Sequence, residues 1–398
     1  MVSFLIISGL GMMAPNIVKD FEKFGIDTAK MGKIVGLATW CQVIFVIPLS
    51  MFLSKINPKF SVSLTLFFAI IGFAVIGLAQ QVPMLYAGCI LFAVFANLVP
   101  TMLVGVKVRG VPPHHMAQIN GIENFASVIG MIVAFLIIPV LIAVFGTWRS
   151  VFYIVVTIMM ICLIFYLILY GNGNRITFDQ AEGTTDAGGP GENMLAALKE
   201  TISNKVVWLT GIAYPGTTVI WYATLLFWPT YAVEERGIDL SQAGIVLAMI
   251  PVFSAIGALV SPMLAKKIGY DKPLICSWGF ILPVLYYMMT VTTNLPLLIL
   301  FAALAGFGAY CFVPLVFTNM YKIGLSKPAI TIAVGIIMTF VTIGIALAGS
   351  AVGSLIEAFG GIEKALRIAC LTPFWFGILT LFLPELGHKK TQQLEIKA

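Results

Sequence analysis

Twelve long apolar runs, separated by short charged or turn-forming stretches, decide what this chain can fold into. They lie near 2–18, 29–53, 61–79, 83–106, 120–145, 150–170, 206–232, 240–264, 272–292, 295–318, 329–356 and 366–384. A helix needs about 20 residues to cross a hydrocarbon layer of about 30 Å, and most of the runs reach that length. Lipid offers no water to backbone amides and carbonyls, so a spanning segment is either a helix or a strand of a closed barrel. The runs do not alternate polar with apolar residues, which favours helices. Hydrophobic residues are 60% of the 398 and charged ones 10%, with mean hydropathy +1.02, more apolar surface than soluble cores can hide. The predicted class is all-α and integral to the membrane.

The second half repeats the first. Phe24-Gly25-Ile26-Asp27 and Gly32 return as Arg236-Gly237-Ile238-Asp239 and Gly244, 212 residues later. Pro15, Val99-Pro100, Gly121, Gly130 and Phe145-Gly146 return as Pro229, Val313-Pro314, Gly335, Gly344 and Phe359-Gly360, 214 residues later. These are turn, cap and contact residues, which report backbone geometry rather than composition. The reading is two six-helix bundles, at 1–170 and 206–384, joined by a linker at 171–205 and followed by a tail at 385–398. Such halves commonly close around a central site. The linker is rich in Gly, Asn, Thr and Asp up to Gly191. Beyond it Met194, Leu195, Leu198 and Ile202 share one face of a short amphipathic helix suited to the membrane interface. Aligning Pro15 with Pro229 sets Met1 against Pro215, whereas the twin helix begins near Val206, so the first helix is expected to be truncated at Met1.

An even number of spans puts both termini on one side. With the termini inside, inner segments carry 15 Lys and Arg and outer segments 8, so the positive-inside rule places both ends in the cytoplasm of a cell membrane. That bias accounts for the net charge of +6 without a nucleic-acid partner. The six cysteines fall in six different runs with no CxxC pair and read as packing residues. His114 and His115 have no acidic or Cys neighbour and read as loop residues, so neither a metal nor another cofactor is expected. HExxH, Walker and GxSxG motifs are lacking, which argues against an enzyme and against nucleotide-driven transport.

This layout resembles the major facilitator superfamily over nearly the whole chain. The diagnostic stretch is the loop after helices 2 and 8, written G-x-L-A-D-R-x-G-R-K in the family. The second copy reads Pro262-Met263-Leu264-Ala265-Lys266-Lys267-Ile268-Gly269-Tyr270-Asp271-Lys272, and the first reads Ser50-Met51-Phe52-Leu53-Ser54-Lys55-Ile56-Asn57-Pro58-Lys59. Gly269 and Asn57 hold the post-helix position, where a left-handed turn is expected. The gating candidates from this resemblance are Lys55, Asn57, Lys266, Lys267 and Gly269. The family's latching Asp is replaced by Ser54 and Lys266, which departs from its clamp. The Phe145–Arg149 and Pro229–Gly237 segments also look like the family, and their flavour resembles its cyanate and nitrate permease groups.

The resemblance implies that helices 1, 4, 7 and 10 line the path. On helix 7, Tyr214, Thr217, Thr218 and Trp221 share a face and are candidate substrate contacts, whereas Trp228 and Tyr231 read as an interfacial aromatic belt. Asn97 and Thr101 on helix 4, Tyr310 on helix 10 and Gln42 on helix 2 join the candidates, with Thr339 and Thr342 weaker ones. Pro100 and Pro314 each remove a helical hydrogen bond and are candidate gating kinks. Glu123 is the clearest carboxylate away from a span end and the candidate proton carrier; the competing reading pairs it with Lys107 or Arg109. So few intramembrane charges point to a small neutral solute or monoanion, carried by a monomeric secondary transporter working by alternating access. A drug–proton antiporter and a non-transporting receptor of the same fold are the alternatives.

Overall fold

The computed structural model describes residues 2–53, 56–110, 116–169 and 192–386, and every regular element among them is helical. In the first half these are α1 (Val2–Phe21), α2 (Thr28–Leu53), α3 (Pro58–Leu78), α4 (Val82–Gly110), α5 (Met116–Phe145) and α6 (Arg149–Leu169). The helix α7 (Glu192–Ser203) precedes α8 (Lys205–Ala213) and α9 (Pro215–Thr230), which passes into a π-helical turn, Tyr231–Glu235. Then come α10 (Leu240–Ile268), α11 (Lys272–Val291), α12 (Leu295–Cys311), α13 (Val313–Lys322), α14 (Lys327–Phe359), α15 (Ile362–Ala369) and α16 (Thr372–Thr380). Nine described segments are long and apolar enough to cross a membrane. The first, seventh and twelfth apolar runs correspond to α1, the α8–α9 pair and the α15–α16 pair, consistent with twelve crossings. Large apolar side chains stand on the outside, Leu259 at 74% exposure and Ile168 at 69%, as lipid allows and water does not.

The repeated glycines mark the repeated turns. Gly25 and Gly237 have φ of 72° and 64°, and Gly146 and Gly360 have 69° and 68°. A Cβ is strained in this left-handed region, so the two copies needed the same residue at the same corner.

The chain forms two compact units, Met1–Asp186 with Gly349–Ser354, and Ala187–Ala348 with Leu355–Ala398. In the first unit, α3 and α4 approach closely because Gly72 meets the backbone of Phe92 and Gly88 that of Ile76. An aromatic core ties them to α6, with ring centroids 5.4 Å apart for Phe73–Phe92, 4.5 Å for Phe73–Phe152 and 5.5 Å for Trp148–Phe152. One corner is fastened through Asp20, whose Oδ2 accepts from Trp148 Nε1 at 2.8 Å and Arg149 Nη1 at 2.7 Å. Arg149 also donates to the Ala79 carbonyl that ends α3, at 3.2 Å.

The second unit is packed by backbone contacts at small residues. Gly306 of α12 abuts the backbone of Ile250 in α10, Gly257 that of Phe307, and Gly279 of α11 that of Gly377 in α16. Its corresponding corner is fastened differently: Tyr231 donates to the Thr290 carbonyl at 2.6 Å, and Arg236 donates to both that carbonyl and the Tyr231 oxygen. Trp228 and Tyr231 are therefore buried inside the unit, not set in an aromatic belt, because their polar atoms find partners at the end of α11. The helix α7 docks through Glu200, which accepts from the Ser326 amide and hydroxyl at 2.9 and 2.6 Å, and through Thr201, which donates to Ala329 O at 3.0 Å. Its Leu198 and Ile202 remain 39% and 49% exposed. All six cysteines are free; Cys162, read from sequence as a packing residue, is instead exposed on α6.

Candidate functional site

The seventh apolar run, continuous in sequence, is interrupted at Tyr214. Pro215 carries no amide hydrogen, so the helix restarts there. The Tyr214 carbonyl takes the restart, accepting from the amides of Thr217 and Thr218 at 3.1 and 3.2 Å and from both hydroxyls at 3.1 Å. The hydroxyls of Thr217 and Thr218 are thus donated to their own helix, and Thr218 also packs against Gly344 of α14. Two further runs break in the same unit, at Phe312 between α12 and α13, where Pro314 lies in the first turn, and at Cys370–Leu371 between α15 and α16. Aromatic rings join the three breaks. Tyr214 lies 5.9 Å from Phe312 and 6.4 Å from Phe376, and Phe312 lies 4.5 Å from Phe376. Tyr214, expected to face a solute, is a member of this hub.

Trp221 and Tyr310 come together as a ring pair 5.2 Å apart and tilted by 53°. Tyr286 of α11, which the sequence did not single out, is buried in the same unit. Its hydroxyl is buried without a protein partner. A Tyr-Tyr pair in the ninth run was the available signal, but nothing in it shows that Tyr286 turns inward while Tyr287 is exposed and takes Arg367 over its ring. A small cavity lies elsewhere in this unit, lined by Val206, Thr210, Ile275, Val316 and Asn319 among others. It has room for about one water molecule beside the unpartnered Oδ1 of Asn319.

The candidates of the first unit lie on separate helices. Gln42 is half-buried in α2 and Glu123 half-buried in α5, where the Ser127 hydroxyl donates to the Glu123 backbone carbonyl at 2.8 Å. Asn97 donates to Ala93 O at 3.0 Å within α4, and the exposed Thr101 donates to Asn97 O at 3.4 Å. The helix α4 runs unbroken through Pro100, unlike the broken helix at Pro314. Thr339 is exposed and Thr342 half-buried on α14, each donating to its own helix at 3.0 Å.

At the loop after α10, Gly269 has φ of 82° and donates to Ala265 O, and Lys266 and Lys267 are exposed. Asn57 does not take the left-handed turn expected of it. It is extended at φ −54° and ψ 128°, and its Oδ1 caps α3 by accepting from Lys59 N at 3.0 Å. The reason is Pro58, which forces the residue before it into extended backbone. Lys55, His114, His115, residues 170–191 and the tail from 387 lie outside the described residues, as do the side chains of Lys107 and Arg109. Among the described residues no group of three metal-binding side chains occurs. In the same loop Asp271 Oδ2 accepts from Lys322 Nζ at 2.6 Å. Glu385 accepts from the amides of Asp271 and Lys272 at 2.8 and 3.2 Å, satisfying the open N-terminus of α11.

The sequence profile of the Major Facilitator Superfamily matches residues 1–349. The chain belongs to this superfamily. A bacterial homologue of the human lysosomal transporter Spinster, inward-facing and unoccupied, superposes with TM-score 0.70 at 17% identity, over 96% of this chain and 93% of that one. The occupied form gives TM-score 0.71 at 16% identity, over 95% and 94%. The nucleoside transporter NupG gives 0.70 at 15% identity, over 95% of each chain. No curated protein matches the sequence. At these identities the superposed structures establish the fold. Superfamily membership makes this a multi-pass membrane protein of secondary transport acting on a small molecule, and not an enzyme.

Proposed function

We propose that the protein moves one small solute, neutral or singly negative, by alternating access. The observation that carries this reading is the Trp221–Tyr310 pair set among three broken helices of one unit. Broken spanning helices leave backbone groups and half-helix ends unpaired at depth, and transporters place solutes there. The described spans of that unit carry no Asp, Glu, Lys or Arg from 206 to 233, 240 to 265, 273 to 321 or 329 to 356, and the charges of its last span lie together in α15 as Glu363, Lys364 and Arg367, so a multiply charged solute would find few counter-charges. NupG carries nucleosides, which are uncharged at neutral pH; the likeness to it reaches the fold only. Glu123 is the proposed proton carrier, both termini are proposed to be cytoplasmic, and the chain is proposed to act as a monomer.

Counterflow in proteoliposomes tests the reading. Vesicles preloaded with one unlabelled solute, drawn from uridine, glucose, nitrate and formate, should speed entry of the same labelled solute. Saturable binding without accelerated exchange would refute transport and leave a receptor of the same fold.

A further inference from the structure

We propose that α7 and the first turn of α8 form a docking face for acidic phospholipid, held on the second unit and independent of which solute the protein carries. The first argument is the two-sidedness of α7. One face is fixed to the unit: Glu200 accepts from the amide and hydroxyl of Ser326, Thr201 donates to Ala329 O at 3.0 Å, and Ala197 and Thr201 are buried. Residues three and four apart share a face of a helix, as these do. The other face carries Leu198, Lys199 and Ile202, all exposed. Aliphatic side chains of that size, standing together on an outer face, mark a contact with something apolar.

The second argument is depth. Only Asn204 separates α7 from α8, which opens the seventh apolar run. Its extended backbone, φ −86° and ψ 111°, breaks the helix, and its Oδ1 caps α8 by accepting from Val206 N at 2.9 Å. An amphipathic helix set off at that joint from the start of a spanning run has its place at the boundary between headgroups and acyl chains. Trp208 marks the same level. Its indole N–H donates to Ile202 O at 2.8 Å, so the polar atom is satisfied at the end of α7 while the residue stays 37% exposed. The occupant of this face is therefore lipid.

The third argument is charge. The Glu200 carboxylate is turned onto Ser326, whereas Lys199 and Lys205 are exposed and have no acidic partner among the described residues. Lysine stems run over apolar surface and hold their ammonium groups at headgroup height, where each strengthens the hold on an acidic membrane about five-fold. The apolar face takes the acyl boundary and the two lysines take phosphates, which fits an acidic phospholipid better than a zwitterionic one.

The test uses the full-length chain in nanodiscs of phosphatidylcholine and of phosphatidylglycerol, read by amide hydrogen exchange. Phosphatidylglycerol should slow exchange in α7 about 25-fold relative to phosphatidylcholine, about five-fold for each lysine, and 1 M salt should remove the difference. Lys199→Gln and Lys205→Gln should each take away about five-fold and the double variant nearly all of it, whereas Lys199→Arg with Lys205→Arg should keep it. Exchange in α15, at the far end of the 33-residue α14, should not change with lipid charge. Free glycerol phosphate added to phosphatidylcholine nanodiscs should protect nothing, since it brings no acyl chain. Equal exchange in both lipids, protection indifferent to the two lysines, protection by free glycerol phosphate, or slowing of the same size in α15 would overturn the docking face. Counterflow is untouched by any of these outcomes, so the transport reading stands or falls separately.

Discussion

Replacing Asp20 separates two interactions that share one oxygen. Its Oδ2 accepts from the Trp148 indole and from Arg149. The ion pair joins side chains 29% and 43% exposed, and exposed pairs contribute about 0–1 kcal/mol. The indole is another matter, because Trp148 is 2% exposed and its N–H has no water to turn to. Leaving such a donor unpaired costs about 1–3 kcal/mol, so the indole term should dominate. Asp20→Ala is expected to destabilise the protein by about 2–3 kcal/mol, and Asp20→Asn, which keeps an acceptor, by about 1 kcal/mol or less. In Trp148→Phe the donor is gone, and the double variant should show a coupling of about 1–2 kcal/mol.

Equilibrium unfolding in detergent, at low salt and at 1 M salt, reads these differences, since salt screens the ion pair and not the indole bond. Acid gives a second readout. Burial pushes the Asp20 carboxyl up, but the hydrogen bonds from Trp148 and Arg149 and the charges of Arg149 and Lys23 outweigh it and hold the group below its ordinary value. A depressed carboxylate contributes stability above its unfolded pKa and loses it as pH falls through the folded one. The wild type should therefore lose this contribution below about pH 4, and Asp20→Asn should be flat there. Equal costs for the Asn and Ala variants, or a difference erased by salt, would refute the ranking.

Lys322→Met should strand the Asp271 carboxylate, which is 6% exposed, and cost about 2–3 kcal/mol by the same unfolding assay; adding Asp271→Asn should recover most of it. Gly306→Leu should destabilise by about 3 kcal/mol or prevent folding, because its Cβ meets the fixed backbone of Ile250, while Gly335→Ala, with nothing near, should be neutral or slightly stabilising. Glu200→Ala should speed hydrogen exchange at the Ser326 amide several-fold. The hydroxyl and then the amide of Ser326 hold the Glu200 carboxyl below its ordinary value, so the protection should persist above about pH 4 and fade as acid protonates it. Glu123→Gln should flatten the pH dependence of uptake; an unchanged profile would exclude it as the proton carrier.

The helical class and the corners were legible because lipid and left-handed turns each leave little choice of residue, as Gly25, Gly237, Gly146 and Gly360 illustrate. The breaks were not. Proline lies within unbroken α4, α5 and α10 at Pro100, Pro139 and Pro251, yet at restarts of helix at Pro215, Pro314 and Pro373. The missing amide is the same in each case, and tertiary partners such as the Tyr214–Phe312–Phe376 rings differ. Trp228 and Tyr231 misled for a related reason: a run's end tells the depth of an aromatic residue but not whether a carbonyl such as Thr290 O waits for it. Asn57 was legible, since Pro58 beside it already forbade the turn assigned to it. The pairing of Asp271 with Lys322 was hidden because the two lie 51 residues apart in sequence.

The two fastened corners consequently answer acid in opposite ways. In the first unit the knot is centred on a carboxylate, so protonation unties it. In the second, Tyr231, Arg236 and a main-chain oxygen hold together through groups that keep their protons across the whole acidic range. A drop in pH at these corners would thus loosen one repeat and leave its twin taut, an asymmetry that matching turns alone would never disclose.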